Sequence, residues 1–379
     1  MVSCDASNGK AACRIPSPVF EAIDPKNNAR NPDPRRSSGE RTSGKLAAIA
    51  GRPGRLMGAL RSATMSNTAA PRRDGLREYL VANNGIRGLE VLEPHEIERA
   101  VRIFDRDGFV VVRDALTPAQ TEYLAAGVLE VVDEIVSFDD TRQGNRGSHR
   151  YSFGGTSITR SMLHRPEWRM LLDVPTVTPI LDAIFGSSDY MVRAASGDFC
   201  LPGAVDYQPL HADMGDFVSP ERTPFSSFQD RRGRLTTRDL PTPYVCVNFL
   251  PFDQTALNGP TRQIPGTHQH RERPPTLAEE PEWMRLSTVC PAPAGSVQIR
   301  DVRAWHGGTP NLSDHVRAIP NVEIYAPWFR EPMIPGISYD DWRTLSDRAR
   351  HLTRYVVQDS AEPVATGYSF TPVSTPRPR

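Results

Sequence analysis

A short motif, His211-Ala-Asp213, together with His306 and Arg317, contains the residue types in this chain that could do chemistry. Two imidazoles and one carboxylate can hold one face of an octahedral iron(II) ion and leave three positions for other ligands. An arginine beyond the second histidine offers a bidentate partner for an acidic co-substrate. These residue types suggest an oxygen-activating enzyme that depends on iron and 2-oxoglutarate.

The spacing of the first two residues suits a shared ligand. Alternate residues of an extended segment lie on one face, so His211 and Asp213 can both reach one metal ion. Residues 297–302 predict a strand that leads to His306, which would put this histidine at a strand end facing the same site. The same ligands also suit zinc or manganese, so the residue types alone leave the metal open.

The composition limits the classes of protein to which the chain can belong. Its 379 residues, 38% hydrophobic and 24% charged, predict one enlarged domain with a sizeable core. The net charge is zero and no apolar run reaches about 18 residues, so we expect neither a nucleic-acid nor a membrane partner. Five cysteines without a Cys-x-x-Cys pair fit a reducing, cytoplasmic location.

Residues 1–75 differ from the rest of the chain. They are poor in aromatic residues and carry thirteen Lys/Arg against six Asp/Glu. Such a segment buries too little apolar surface to offset its ordering entropy, which predicts a disordered extension. An organelle-targeting peptide is the alternative, because residues 45–61 are basic and mildly amphipathic.

Residues 76–379 are predicted to form a single domain with a helical first part, about 94–185, and a β-rich core, about 190–330. Helices are predicted at 94–104 and 117–136, the second with Thr117 as cap, and a buried strand between them at 108–112. Residues 137–165 are rich in Gly and Arg and are predicted to be loop. Short apolar strands are predicted at 190–194, 244–250, 297–301 and 321–328. The pattern indicates a mainly β sandwich with flanking helices.

Four segments carry a resemblance to a known family. They are residues 104–113 (FDRDGFVVVR), 208–213 (QPLHAD), 258–268 (NGPTRQIPGTH) and 305–311 with Arg317 (WHGGTPN). In this order the segments resemble the phytanoyl-CoA dioxygenase family over roughly residues 95–330. The resemblance implies a double-stranded β-helix core (a jelly-roll, cupin-like fold) and an iron(II)- and 2-oxoglutarate-dependent dioxygenase.

The resemblance also implies roles for individual residues. His211, Asp213 and His306 would bind iron and be the catalytic centre, with 2-oxoglutarate and dioxygen as co-substrates. Arg317 would bind the distal carboxylate of 2-oxoglutarate. Halogenating relatives have a small residue in the carboxylate position, so Asp213 favours hydroxylation over chlorination, with desaturation or ring closure as open alternatives.

The remaining co-substrate contacts follow the family less closely. Gln208 matches a glutamine that helps hold 2-oxoglutarate in some relatives, and Thr261 stands where it could assist. Some relatives have a serine that contacts the co-substrate two residues after the second histidine, whereas this chain has Gly308. Thr309 is the candidate to replace that serine.

Residues 214–243 directly follow the metal pair and could form a lid over the substrate. Their excess of arginines favours an anionic small-molecule substrate, although a solvated insertion explains the same composition: Arg222, Arg231, Arg232, Arg234 and Arg238. Four aromatic residues could line the pocket or pack in the core: Tyr207, Phe217, Trp305 and Trp328. His268 and His270 are predicted to be solvated loop residues and not metal ligands.

The function predicted is hydroxylation, or another oxidation, of a small organic molecule with release of succinate and carbon dioxide. Two alternatives remain. The first is an inactive jelly-roll protein that binds metal for structure or regulation. The second is a zinc hydrolase that uses the same three ligands, which would retain activity without oxygen.

Overall fold

The computed structural model describes residues 69–214, 232, 234–359 and 361–371, all within one structural unit, Met65–Arg379. The predicted N-terminal extension therefore lies almost wholly outside the described residues. Its predicted end at residue 75 falls inside a helix that begins at Ala69.

All but one of the described α-helices lie before residue 186 or after residue 338 in the sequence. The helices are α1 Ala69–Asn83, α2 Ile97–Asp107, α3 Pro118–Val136, α4 Phe153–Thr156, α5 Pro166–Met170, α6 Thr178–Phe185, α7 Glu282–Leu286, α8 Tyr339–Trp342 and α9 Asp347–Leu352. None of the helices in these ranges is both long and apolar enough to cross a membrane.

Local sequence explains the two long helices of the first part. In α2 the buried residues Ala100, Ile103 and Phe104 recur at helical spacing, and the helix ends at Gly108, whose positive φ of 80° suits glycine. The α3 helix begins with a capping box, in which Thr117 and the third helical residue satisfy each other's free amides. Both predicted helices are confirmed.

The strands form two sheets. They are β1 Val91–Leu92, β2 Phe109–Val112, β3 Arg150–Ser152, β4 Met191–Cys200, β5 Tyr244–Phe249, β6 Arg262–Gln263, β7 Val297–Asp301, β8 His306–Gly307 and β9 Arg317–Tyr325. The larger sheet has the order β1-β2-β7-β5-β9-β4-β3, and only its β1–β2 pair is parallel among the described strands. The predicted loop 137–165 is corrected here, because it contains β3 and α4.

The smaller sheet pairs β6 with β8 and is extended by isolated bridges on both sides. His211 bridges His306, and Arg262 bridges Thr288. Successive segments from β4 to β9 thus divide between the two sheets, as in a double-stranded β-helix. The jelly-roll core expected from the sequence is confirmed.

The two faces of the larger sheet differ in character. One face contributes Val247, Ile299 and Val322 to a core cluster that also contains Phe104 of α2 and Val131 of α3. The helices therefore cover this face and bury its aliphatic side chains, each burial contributing about 1.5–3 kcal/mol. The opposite face is turned toward the smaller sheet.

That opposite face is polar along one row of the strand register. Ser196 pairs with Asn321, Asn321 with Asn248, and Asn248 with Gln298, across β4, β9, β5 and β7. Since side chains alternate along a strand, Glu323 shares the face of Asn321. The interior between the sheets is therefore polar along this row, whereas Phe109, Val111 and Ile319 of the same face belong to a small apolar cluster.

Candidate active site

The backbone of the smaller sheet brings the first and second histidine together. The His211 amide donates to the His306 carbonyl at 3.0 Å, and the His306 amide donates back at 2.9 Å. The Asp213 amide donates to Val302 at 2.9 Å, just before the strand that carries His306. Two segments about ninety residues apart in sequence are thereby fixed side by side.

The three side chains converge on one point. His211 Nε2 lies 3.9 Å and His306 Nε2 3.6 Å from the same oxygen, Asp213 Oδ1. One ligand atom from each residue lies within 4.8 Å of the others. Two nitrogens and one carboxylate oxygen at this spacing fit a single metal ion bound on one face.

Hydrogen bonds at the far side of each ring orient the imidazoles. His211 Nδ1 lies 3.1 Å from the carbonyl of Pro209, and His306 Nδ1 lies 3.0 Å from the carbonyl of Ala304. A proton on each Nδ1 satisfies these carbonyls and leaves the Nε2 lone pairs free for the metal.

Arg300 on β7 holds the other oxygen of the carboxylate. Its Nη2 donates to Asp213 Oδ2 at 2.8 Å, which leaves Oδ1 turned toward the two imidazoles. Its Nη1 also lies 3.2 Å from His306 Nδ1. The arginine side chain is only 6% exposed, so its charge is compensated mainly by Asp213.

The electrostatics keep the ligands in the form that a metal needs. Burial alone would raise the pKa of Asp213, but Arg300 and the two imidazoles together lower it well below its ordinary value. Burial, assisted by Arg300, holds the pKa of His306 well below its usual range. A carboxylate and a neutral imidazole are therefore present at neutral pH, as metal binding requires.

A cavity of about 830 Å³, part of it open to solvent, extends from the triad between the two sheets. Its walls are mostly polar, and its described apolar side chains are few, among them Phe199 and Ile319. Asn321 and Glu323 line the side formed by β9. Asn321 Oδ1 is buried and accepts no hydrogen bond from the described residues.

Two buried guanidinium groups line the same cavity. Arg317 begins β9, is 5% exposed, and donates from Nε to the carbonyl of Gly259 at 2.8 Å. Arg150 on β3 is 6% exposed and donates from Nη2 to the carbonyls of Thr309, at 2.9 Å, and Asp206. These partners are neutral carbonyls, so both groups can still bind an anion.

The predicted supporting residues fall into two groups. Gln208 and Thr261 line the cavity, and Gln208 Oε1 accepts a hydrogen bond from the Gly308 amide at 3.0 Å. The expectation for Thr309 is wrong, because its hydroxyl is buried and donates to the carbonyl of Pro260 at 2.6 Å. This residue therefore faces away from the cavity that Gly308 lines.

The aromatic candidates are not part of the described cavity wall. Trp305 packs with Leu210 in a small core cluster, Trp328 is 47% exposed, and Tyr207 lies against the guanidinium of Arg262. Phe217 lies outside the described residues.

The two further histidines take no part in the metal group. The group contains neither His268 nor His270. The expectation that His268 is solvated is nevertheless wrong, because it is 5% exposed and packs against Gly108.

Most of the predicted lid, 214–243, lies outside the described residues, but Arg238 donates to the carbonyls of His268 and Arg303.

Sequence reasoning missed Arg150, Arg300, Asn321 and Glu323 as residues of the cavity. A charged residue inside the apolar strand 297–301 was an available signal for Arg300. Nothing in the local sequence marks Arg150, because its position follows from strand pairing with β4.

The sequence of this chain is similar to those of known dioxygenases. The family model described as phytanoyl-CoA dioxygenase (PhyH) matches residues 104–319, which is more than half of the chain. The dioxygenase FUM3 of Gibberella moniliformis is 23% identical over 270 residues, which cover 67% of this chain and 80% of that protein.

Solved structures with some similarity include two from Streptomyces. AviO1 of Streptomyces viridochromogenes is 20% identical, with 63% of this chain and 98% of that chain covered and a TM-score of 0.42. HygX of Streptomyces hygroscopicus, solved with nickel, 2-oxoglutarate and hygromycin B, is 13% identical, with 62% and 88% covered and a TM-score of 0.44.

Proposed function

This chain belongs to the phytanoyl-CoA dioxygenase family, and from that premise we propose that it hydroxylates a small polar organic molecule. Its class is that of an oxidoreductase dependent on iron and 2-oxoglutarate, with dioxygen as the second co-substrate. The observation that carries the proposal is the convergence of His211, Asp213 and His306 in a cavity that also contains Arg317.

The residues present fit the metal that the family implies. Both imidazoles have a carbonyl partner at Nδ1 and a free Nε2, and Asp213 offers Oδ1 while Arg300 occupies Oδ2. Three protein ligands leave coordination positions for a co-substrate, unlike the closed shell of a structural zinc site. Iron and 2-oxoglutarate, when bound, supply oxidative decarboxylation coupled to insertion of one oxygen atom into a substrate C–H bond.

The chain's own residues position the reactants. Arg317 offers its guanidinium to the distal carboxylate of 2-oxoglutarate, since a buried cation without an anion is costly. The neutral state of His306 and the ionised state of Asp213 keep the site ready for the metal without a proton transfer. With a metal bound, the carboxylate of Asp213 would also fill the position that a halide needs, which favours hydroxylation.

The cavity supports a polar substrate that carries an anionic group. Arg146 lines the cavity, lies about half-exposed, and places its Nε 3.5 Å from Asp198 Oδ1. The negative charges of Asp198, Asp213 and Glu323 raise the pKa of Arg146, so its guanidinium stays protonated. Arg146 is thus positioned to pair with a substrate carboxylate or phosphate beside the metal site.

Two measurements test the proposal. Succinate release is screened with anionic, neutral and cationic small molecules, and we expect the anionic compounds to stimulate it. His211→Ala and Asp213→Ala should abolish that release, and they should also abolish the visible absorption band that 2-oxoglutarate produces with anaerobic iron(II) protein. Unchanged turnover in either variant would refute the assignment, and activity without oxygen would indicate a hydrolase.

A further inference from the structure

We propose that Glu323 binds an ammonium group of the substrate, so that the substrate is a small zwitterion whose anionic group lies at Arg146. The inference rests on the proposed function and narrows its substrate class to amino acids and other small molecules that carry both an amine and an acidic group. Glu323 is in this role a specificity-determining residue, because its carboxylate selects the substrate and takes no part in the oxidation.

Strand register places Glu323 on the cavity wall near the metal triad. Arg300 of β7 lies opposite Cys246 of β5, and Cys246 in turn lies opposite Glu323 of β9. All three residues line the cavity, and Arg300 holds the carboxylate of Asp213. Glu323 and Arg300 are two strand spacings apart, which is about 10 Å. A small molecule that contacts Glu323 can therefore also present a C–H bond to the metal site.

A β-bulge in β4 supplies Glu323 with a protein partner. The register of β4 against β9 shifts between Val192 and Ala194, which leaves Arg193 as an extra residue. Bulges re-aim side chains and are common next to active sites. Here Arg193 Nη1 donates to Glu323 Oε2, and this contact holds the carboxylate in the cavity wall.

Glu323 has acceptor capacity left over for a ligand. Its side chain is only 22% exposed, and its Oε1 accepts no hydrogen bond from the described residues. An ionised carboxylate offers about four acceptor sites, and Arg193 uses only one of the two oxygens. Burial raises the pKa of Glu323 and the charge of Asp213 adds to this effect, although Arg193 opposes it. A bound ammonium group would donate to the free oxygen and stabilise the partly buried charge.

The anionic end of the substrate has its partner on the same wall. Arg146 pairs with Asp198 of β4, whereas Glu323 lies opposite Ala194 of the same strand. Four residues of a strand separate these two points, a backbone distance of about 13 Å. Charges of opposite sign thus line the cavity at two separated points, which suits the two ends of a zwitterion.

Binding of paired acids to the loaded protein tests this role without catalysis. The protein is loaded with manganese(II) and 2-oxoglutarate, and calorimetry measures its affinity for ω-amino acids from 4-aminobutanoate to 8-aminooctanoate. Each amino acid is paired with the unsubstituted acid of the same length, which lacks only the ammonium group. We expect the wild-type protein to prefer at least one amino acid to its paired acid by about tenfold to a hundredfold, the value of one charge-assisted hydrogen bond.

Substitutions in the ion pair show which residue carries the preference. Glu323→Gln keeps the shape of the side chain and removes its charge, so the preference for the amine should fall to about twofold or less. Arg193→Met should retain the preference, because the carboxylate of Glu323 remains. Glu93→Gln is the matched control, since Glu93 is paired with Arg113 and does not line the described cavity.

Arg146→Met tests the other end of the substrate. Both members of a pair carry the same carboxylate, so this variant should weaken both by about the same factor and leave their ratio unchanged. A ratio that falls as far as in Glu323→Gln would contradict separate sites for the two charges.

The outcomes separate this inference from the proposed function. A wild-type protein that gives no visible absorption band with anaerobic iron(II) and 2-oxoglutarate would overturn the proposed function itself. A normal band with equal binding within every pair would overturn the ammonium site alone, and this comparison needs no variant. A preference that persists in Glu323→Gln, or equal weakening of both members of a pair in that variant, would also overturn it and leave Glu323 a structural role.

Discussion

A buried ion pair lies close to the segment that carries His211, and the loss of stability on removing one partner can be estimated from its burial. Arg262 Nη1 donates to Glu280 Oε2 at 2.8 Å, and both side chains are 0% exposed. Arg262 Nη2 also donates to the main-chain carbonyl of Gln208, three residues before His211. Glu280→Gln keeps the shape of the side chain and removes its charge, which leaves Arg262 buried without a counter-ion.

The size of the effect follows from this burial. Removing one partner of a buried ion pair typically costs about 3–5 kcal/mol, because the remaining charge stays desolvated. Arg285 donates to Glu280 Oε1 at 3.0 Å, so Glu280→Gln weakens a second contact as well. Since 1 kcal/mol shifts the Tm of a large domain by about 2–4 °C, we expect a decrease of about 6–20 °C.

Thermal unfolding followed by circular dichroism measures the shift. Glu272→Gln is the control, because Glu272 is exposed and should change stability by less than about 0.5 kcal/mol. The double variant Arg262→Met/Glu280→Met should be more stable than Glu280→Gln, since it leaves no buried charge. A Tm within 2 °C of wild type for Glu280→Gln would refute the assignment of a desolvated, essential pair.

Two further predictions concern stability elsewhere. Burial holds the pKa of His268 below its ordinary value near 6.5, so the unfolded chain binds more protons and stability falls as pH decreases below about 6.5. Urea midpoints at pH 7.5 and 5.5 should therefore differ less in His268→Gln than in wild type, and an equal difference would contradict this. Gly127→Ala should cost about 1–3 kcal/mol, because its Cβ would lie 2.3 Å from Glu167 Cγ. Gly75→Ala, with nothing within 4 Å, should change helix stability by about 1 kcal/mol or less, and equal urea midpoints for the two variants would contradict the packing argument.

The sequence predicted the parts of the fold that depend on local signals. Apolar spacing predicted α2, the Thr117 cap predicted α3, and short apolar runs predicted β5 and β7. Strand ends were less predictable, since β9 begins at Arg317 and not at residue 321. Pairing with β4 sets that boundary, and the sequence of one strand does not reveal which residues of another strand it pairs with.

What the sequence by itself determined was the family and the grouping of His211, Asp213 and His306, because short motifs in a defined order identify both. The tertiary structure alone decided the rest of the cavity. Arg150 reaches Gly308 through the pairing of β3 with β4, and Asn321 and Asn248 meet through strand register. The physical reason is that register and burial depend on segments far apart in sequence, and they determine which charges are left to bind a ligand.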